Sequence, residues 1–106
     1  MDLYLKLQVL RSQEFNEWFE CQTETVQSLV LARLHRISVD GHFGTTNHFD
    51  GLIELKWKSG LRVYTARIGQ MVIVVVGGGN KNGQNKDIQK AKKVLNKIKS
   101  SFIGGS

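Results

Sequence analysis

The spacing of apolar residues along the first forty positions predicts one strand followed by two helices. Residues 3–10 alternate between apolar and polar side chains, as a strand does when only one of its faces is buried. After Ser12 and again after Thr23, apolar residues recur at intervals of three and four, the period of a helix with one buried face. Either residue can accept a hydrogen bond at the start of a helix. The predicted helices therefore cover residues 12–21 and 24–39.

The second half of the chain is predicted to form three strands and a last helix. Residues 41–51 are rich in glycine and polar residues, which indicates a loop. Strands are predicted at residues 51–58, 61–68 and 71–76, and the last of these is apolar in both phases, which is typical of a central strand. Residues 85–100 have apolar side chains at helical spacing. The predicted order is β-α-α-β-β-β-α, an α+β domain with a small, mainly antiparallel sheet and a basic last helix.

The length and the charge of the chain narrow its class. A chain of 106 residues fits one domain, and its last five residues are predicted to fray. Fifteen lysine and arginine residues oppose nine acids, so the formal net charge is +6. Such a charge on a small domain favours a polyanionic partner such as nucleic acid. A merely basic surface is the alternative.

The cysteine count and the apolar runs exclude several other classes. Cys21 is the single cysteine, so an intrachain disulfide is impossible and a thiolate metal site is not expected. No apolar run reaches the ~20 residues of a membrane span. The first residues lack the basic and apolar regions of a signal peptide. A cytoplasmic protein with no membrane association, cofactor or metal is therefore expected.

The glycines at residues 77–79 raise the question of phosphate binding. A Walker A loop needs Lys and Ser or Thr after its last glycine, but Gln84 and Asn85 follow Gly83. The dinucleotide fingerprint fails as well, because Asn82 stands where it needs a third glycine. Nucleotide binding is therefore rejected. The glycines are predicted to end the strand and to let the backbone turn into the last helix, which Asn82 or Asn85 can cap.

The turn between the strands at 51–58 and 61–68 decides which side chains share a face. A two-residue turn would mix polar and apolar residues on both faces. A three-residue turn, with Gly60 in the left-handed or a bulge conformation, places Lys58 opposite Arg62 and Lys56 opposite Tyr64. This register is predicted because it separates a basic face from an apolar face. The apolar face then holds Ile53, Leu55, Trp57, Val63 and Thr65.

Four blocks of the sequence, in the right order, resemble a known toxin family. GLIELKWKSGLRVY (51–64) and GGGNKNGQNKDIQKA (77–91) are similar to its Gly-Leu-x-Glu-Leu-Arg … Gly-Tyr-Arg-Val-Tyr and Gly-Gly-Asp-Lys-x-x-Gln-x-x-Asp-Ile-x-x-Ala blocks. EFNEWF (14–19) and LARLHRISVDGHFG (31–44) fit its upstream segments. The family is the phage-derived addiction module killer proteins, in the HigB branch of the RelE/ParE toxin superfamily. The resemblance covers about residues 4–99.

The resemblance implies a type II toxin that cleaves mRNA during translation, usually on the ribosome, and a helix-turn-helix antitoxin of the HigA kind as its partner. It also implies that the hairpin and the polar loop form the site. The matching positions are Lys56, Arg62, Tyr64, Lys81, Gln84 and Asp87. The sequence departs from the family in three respects. Its hairpin loop is about two residues shorter, Asn80 replaces an aspartate, and no tyrosine or histidine follows Tyr64.

Metal-free RNA cleavage needs a base for the 2′-hydroxyl proton, cations for the phosphorane charge and an acid for the leaving 5′-oxygen. Arg62 and Lys81 are predicted to hold the phosphate, because arginine stays protonated and cannot act as the base. Lys56 or Lys58 is the candidate acid or base, and Tyr64 is predicted to stack on a base or to donate a proton. The candidate RNA-binding residues are Gln84, Lys86, Lys90 and Lys93.

Two alternatives from other functional classes remain open. A ParE-like inhibitor of DNA gyrase would poison its target without ribonuclease activity, and a non-catalytic domain would bind RNA without cleaving it. The lysines of the last helix also have a plainer interpretation, a solubilising surface. Assays of gyrase and of mRNA cleavage, together with the salt dependence of RNA binding, distinguish the ribonuclease from these two alternatives.

Overall fold

The computed structural model describes residues 6–104, with side chains described for residues 6–101. Leu3 and Leu5 of the predicted first strand lie outside this part of the chain. The elements are β1 (Gln8–Arg11), α1 (Gln13–Glu20), α2 (Glu24–Asp40), β2 (Thr46–Phe49), β3 (Leu52–Lys56), β4 (Leu61–Ile68), β5 (Val72–Asn80), a 3-10 turn (Lys81–Gly83) and α3 (Gln84–Gly104). The predicted α+β class is confirmed, with one strand more than expected.

The two N-terminal helices begin at the predicted residues. Ser12 Oγ accepts a hydrogen bond from the Phe15 N–H at 3.0 Å, and Thr23 Oγ1 accepts one from the Val26 N–H at 3.2 Å. Each cap satisfies one backbone donor that the first helical turn leaves without a partner. Among the described residues, neither these helices nor α3 is long and apolar enough to cross a membrane.

The five strands form one sheet in the order β1-β5-β4-β3-β2, in which β1 is parallel to β5 and the other neighbours are antiparallel. Helices cover both faces. Ile73 and Val75 of β5 pack with residues of α1 and α2, whereas Val74 and Val76 pack with residues of α3. The prediction that β5 is buried on both faces is therefore confirmed.

Strand β2 lies in the segment that was predicted to be a loop. It pairs with β3 through a tight turn at Asp50 and Gly51, which have φ values of 45° and 89°. Asp-Gly at a two-residue turn with positive φ is a strong hairpin signal, because few residues adopt that conformation without strain. The prediction of a loop over residues 41–51 was wrong, because it rested on polar composition, whereas the Asp50-Gly51 pair indicates a hairpin.

Strand β5 does not end at its glycines but runs through them to Asn80. The predicted strand end is wrong because Gly77, Gly78 and Gly79 continue the ladder with β4, after a bulge where the register shifts between Tyr64 and Thr65. The helix cap was also misplaced. The Asn80 side chain accepts from the Asn82 N–H at 2.9 Å and starts the 3-10 turn that leads into α3.

The β3–β4 hairpin has the predicted faces but a different register. Lys56 pairs with Arg62 and Glu54 with Tyr64, a shift of two residues from the predicted pairing. The N–H of Trp57 donates to the carbonyl of Leu61 at 3.1 Å, so Lys58 lies in the turn rather than in the ladder. Each side chain stays on its predicted face after a shift of two residues, because side chains along a strand alternate with a period of two. Gly60 has a φ of 101°, the left-handed region predicted for it.

Arg33 anchors the end of this hairpin from α2. Its guanidinium donates to the carbonyl oxygens of Phe43, Thr45 and Lys56, and it lies 4.3 Å from the ring centroid of Trp57. Burial lowers the pKa of Arg33. A side chain that donates to three carbonyls in two segments of the chain fixes the position of the Lys56 backbone, which belongs to the candidate site.

Candidate nucleic-acid interface

Four cations meet where the β3–β4 hairpin approaches the turn after β5. The Lys81 N–H donates to the carbonyl of Gly60 at 2.8 Å, which holds the two segments together. Lys58 and Lys81 are exposed and Lys56 is half-buried. Lys56, Lys58, Arg62 and Lys81 are called the basic rim below. The backbone pairing therefore brings the segments that carry all the cations of the predicted catalytic set to one end of the sheet.

Arg62 is the least accessible member of the basic rim. Its Nη1 donates to the carbonyls of Trp57 at 3.1 Å and Leu61 at 2.9 Å. Its Nε is buried, forms no hydrogen bond with any residue that the structure describes, and lies 3.9 Å from Oε1 of Glu54. Only 11% of the side-chain surface reaches solvent. A phosphate can therefore meet only the outer edge of this guanidinium.

Glu54 is the residue of this region that sequence reasoning missed. It is fully buried and accepts hydrogen bonds from Nδ2 of Asn47 at 3.2 Å and from Nε2 of Gln84 at 2.8 Å. Gln84 was predicted to read an RNA base, but in this conformation its amide nitrogen is engaged by Glu54. The available signal was the single acid on a strand face that otherwise holds cations and a tyrosine.

Tyr64 is fully buried under α3, in the cluster that contains Ile88 and Ala91. Within the described part of the chain, its hydroxyl makes no hydrogen bond of normal geometry. Burial, reinforced by the negative charge of Glu54, raises the pKa of this phenol. The stacking or proton-donating role predicted for Tyr64 is incompatible with this position. The cause is α3, which covers the sheet face that was expected to be open.

Tyr64→Phe is expected to leave stability unchanged or to raise the free energy of unfolding by up to about 1 kcal/mol, because it removes a buried hydroxyl that forms no hydrogen bond of normal geometry with any described residue. Urea unfolding of the two proteins at neutral pH measures the difference. A loss of more than about 1 kcal/mol would mean that the hydroxyl is hydrogen-bonded in the native state.

The lysines of α3 divide between two surfaces. Lys86 lines a polar groove of about 360 Å³ together with Lys81, so it extends the basic rim. Lys90 and Lys93 line a second groove, of about 570 Å³, whose opposite wall carries Glu14 and Glu17 of α1. These carboxylates oppose the approach of a phosphate. The predicted RNA contacts at Lys90 and Lys93 are therefore less favourable than the one at Lys86.

The Asp87 side chain lies close to Gly79 and Gly83. A Cβ at Gly79 would lie 2.0 Å from Oδ2 of Asp87 and one at Gly83 would lie 3.1 Å from the same atom, so the carboxylate of Asp87 would have to move in a Gly79 variant. Partial burial raises the pKa of Asp87, although Lys90 and Lys86 act in the opposite direction. Among the described residues, no group of three or more histidine, cysteine, aspartate or glutamate side chains could hold a metal ion.

Stability is expected to depend on pH through Asp87. Its folded-state pKa lies above the unfolded value, so the folded state binds the proton more tightly and stability falls as pH rises through that interval. Asp87→Asn removes this dependence and should unfold at a higher urea concentration than the wild type at pH 7 but not at pH 3. Glu14 has the opposite effect on the pH dependence of stability, because a hydrogen bond from Lys97 lowers its pKa. The stability that Glu14 contributes is lost as the pH falls, and Glu14→Gln removes that contribution. Equal pH profiles for the wild type and the Asp87 variant would contradict the prediction.

The fold is that of the RelE toxins. A variant of Escherichia coli RelE in the free state matches with a TM-score of 0.68 and 13% identity, over 83% of this chain and 96% of that chain. A chain of the intact E. coli RelBE toxin–antitoxin complex matches with a TM-score of 0.58 and 14% identity, over 70% and 95%. A chain of the RelBE2 toxin–antitoxin complex of Mycobacterium tuberculosis matches with a TM-score of 0.53 and 8% identity, over 76% and 97%.

Sequence comparison adds one relative. An uncharacterized protein of Haemophilus influenzae is 28% identical over 92 residues, which are 83% of this chain and 92% of the relative. No protein-family model matches the chain. The RelE-like fold implied by the sequence resemblance is therefore confirmed by structure, and assignment to the HigB branch stays a prediction.

Proposed function

We propose that this protein is the toxin of a type II toxin–antitoxin pair and an endoribonuclease that cleaves mRNA during translation. The observation that supports this best is the basic rim, where two strands and a loop from distant parts of the sequence bring four cations together. Clustered lysines and arginines repel one another, so such a cluster favours a bound polyanion. The RelE-like fold also supports the proposal of a type II toxin.

The chemistry proposed for the rim is metal-free, because cations stabilise a phosphorane directly and do not ligate a divalent metal. Lys81 and the outer edge of Arg62 hold the phosphate. Lys56 or Lys58 exchanges the proton, since lysine can lose its proton and arginine cannot. Tyr64 takes no part, because it is buried. Lys86 guides the RNA backbone, with smaller contributions from Lys90 and Lys93.

The partners proposed are mRNA on the cytoplasmic ribosome and an antitoxin. Two of the structural neighbours were solved in toxin–antitoxin complexes, which supports an antitoxin partner for this chain. The helix-turn-helix type of that antitoxin and the HigB branch rest on the four sequence blocks alone.

A second candidate is a domain that binds RNA without cleaving it. It is favoured by the burial of Tyr64, together with the absence of any tyrosine or histidine after position 64. Such a domain would lack a phenol or imidazole for proton transfer at the rim. It would bind RNA with strong salt dependence and leave the transcript intact.

Induced expression in Escherichia coli tests the proposal. Growth should stop, and primer extension on a reporter mRNA should show cuts inside the translated region that vanish when the start codon is removed. Uncut mRNA with salt-sensitive RNA binding would establish the second candidate instead. Growth arrest with uncut mRNA and reduced supercoiling by purified gyrase would contradict both and indicate a gyrase poison.

A further inference from the structure

Glu54 is buried beside the start of α3, where its polar neighbours are Asn47, Gln84 and Arg62. The burial of a carboxylate needs an explanation. Moving a carboxylate out of water costs several kcal/mol unless cations and hydrogen bonds compensate, and an apolar side chain of similar size is often as stable or more so. Glu54 has no exposed surface and accepts two hydrogen bonds from neutral amides, and its nearest described cation, Arg62, is 3.9 Å away without a hydrogen bond. Fold stability is therefore a weak reason for an acid at this position.

The contacts of Glu54 point to Arg62. The two lie on the same face of adjacent strands, since Lys56 pairs with Arg62 two residues further along β3. Carbonyls of the turn accept from Nη1 of Arg62, and Glu54 faces its Nε. Two hydrogen bonds at Nη1 and the negative charge 3.9 Å from Nε favour one orientation of the planar guanidinium. Its exposed 11% is then held toward the basic rim.

We propose that Glu54 is a positioning residue, which holds the guanidinium of Arg62 so that its outer edge faces the RNA phosphate. This role rests on the proposed ribonuclease function. Glu54 does not touch RNA, because it is fully buried. Without the carboxylate, the buried Nε of Arg62 loses its counter-charge and the guanidinium is free to leave the phosphate-facing orientation.

A purely structural role for Glu54 makes a different prediction. Glu54 also accepts from Gln84 at the start of α3, so it could act only by fastening that helix. In that case any change that loosens α3 equally would reduce activity equally. Val94→Ala is a suitable control, because Val94 packs α3 on the same sheet face and is neither a member of the basic rim nor a hydrogen-bond partner of Glu54.

A double-mutant cycle on cleavage rate tests the proposal. The proteins are the wild type, Glu54→Gln, Arg62→Ala and the double variant, measured on one translated reporter mRNA beside thermal unfolding of each. Glu54→Gln is expected to slow cleavage by roughly 10-fold and Arg62→Ala by on the order of 100-fold. The double variant should be no slower than Arg62→Ala alone, because Glu54 acts through Arg62. Val94→Ala, though less heat-stable, should cleave at close to the wild-type rate.

Three results would contradict the positioning role of Glu54. Additive losses in the double variant, or a loss in Val94→Ala as large as that in Glu54→Gln, would overturn the positioning role alone. Should Glu54→Gln fail to fold, Glu54→Met provides the cycle, because an apolar side chain of similar length removes the charge without burying a new polar group. Intact mRNA with the folded wild type would overturn the proposed function and this role together.

Discussion

Gly78→Ala is expected to lower the free energy of unfolding by about 1–3 kcal/mol, because the added methyl group would collide with Trp18. A Cβ at Gly78 would lie 2.5 Å from Cδ2 and Cε3 of Trp18. These atoms belong to the body of the indole ring, so the whole side chain would have to move. Its contact with Phe15, at 5.8 Å between ring centroids, would then be disturbed.

Gly77→Ala is the matched control for this prediction. The nearest atom to a Cβ there is the Ala91 methyl group at 3.9 Å, an ordinary contact, and no positive φ restricts the position. The variant should be as stable as the wild type, because alanine also reduces the freedom of the unfolded chain. Urea unfolding of the three proteins measures both effects. Equal midpoints for Gly78→Ala and Gly77→Ala would contradict the proposed contact with Trp18.

The double variant Lys56→Gln/Lys81→Gln is expected to abolish growth arrest and to reduce mRNA cleavage by at least about 100-fold, the usual effect of removing charge that stabilises a transition state. The fold should persist, since Lys81 is exposed and Lys56 is only half-buried. Primer extension measures the cleavage, and circular dichroism with thermal unfolding checks the fold.

Lys6→Gln/Lys99→Gln is the control, because it removes the same two positive charges from exposed positions away from the rim. A toxin that depends on the rim itself should keep its activity in this variant. Equal losses in the two double variants would indicate that overall charge matters, as for non-specific binding to nucleic acid. Full toxicity of a folded Lys56→Gln/Lys81→Gln variant would contradict the proposed site.

Features that depend on neighbouring residues were predictable from the sequence. Ser12 and Thr23 cap their helices as expected, because a cap involves donors only three residues away. The faces of β3 and β4 were also predictable, since alternation alone assigns them. Their pairing was not, because two registers that differ by two residues bury the same side chains. The turn carbonyls that bond to Arg62 distinguish them.

Features that depend on packing between distant segments escaped prediction. Tyr64 was placed at an open site because nothing in its strand indicates which face a helix will cover. Its burial follows from α3, whose apolar residues reach it from more than twenty positions along the chain. Arg33 is a second example, because it donates to carbonyls up to 23 residues away. Satisfying a buried donor is a three-dimensional requirement that a linear pattern does not express.

The sequence by itself determined the fold class, the helix starts, the two-sided burial of β5 and the set of cations from which a rim could be built. Only the tertiary structure decided that β5 continues through its glycines, that Lys81 reaches the hairpin, and that Glu54, Arg62 and Tyr64 lie beneath or beside α3. The physical reason is the separation along the chain of the residues that interact. Hydrogen bonds and side-chain periodicity within a few residues form local elements, whereas the burial of a charge or a hydroxyl depends on which surfaces meet when the whole core packs.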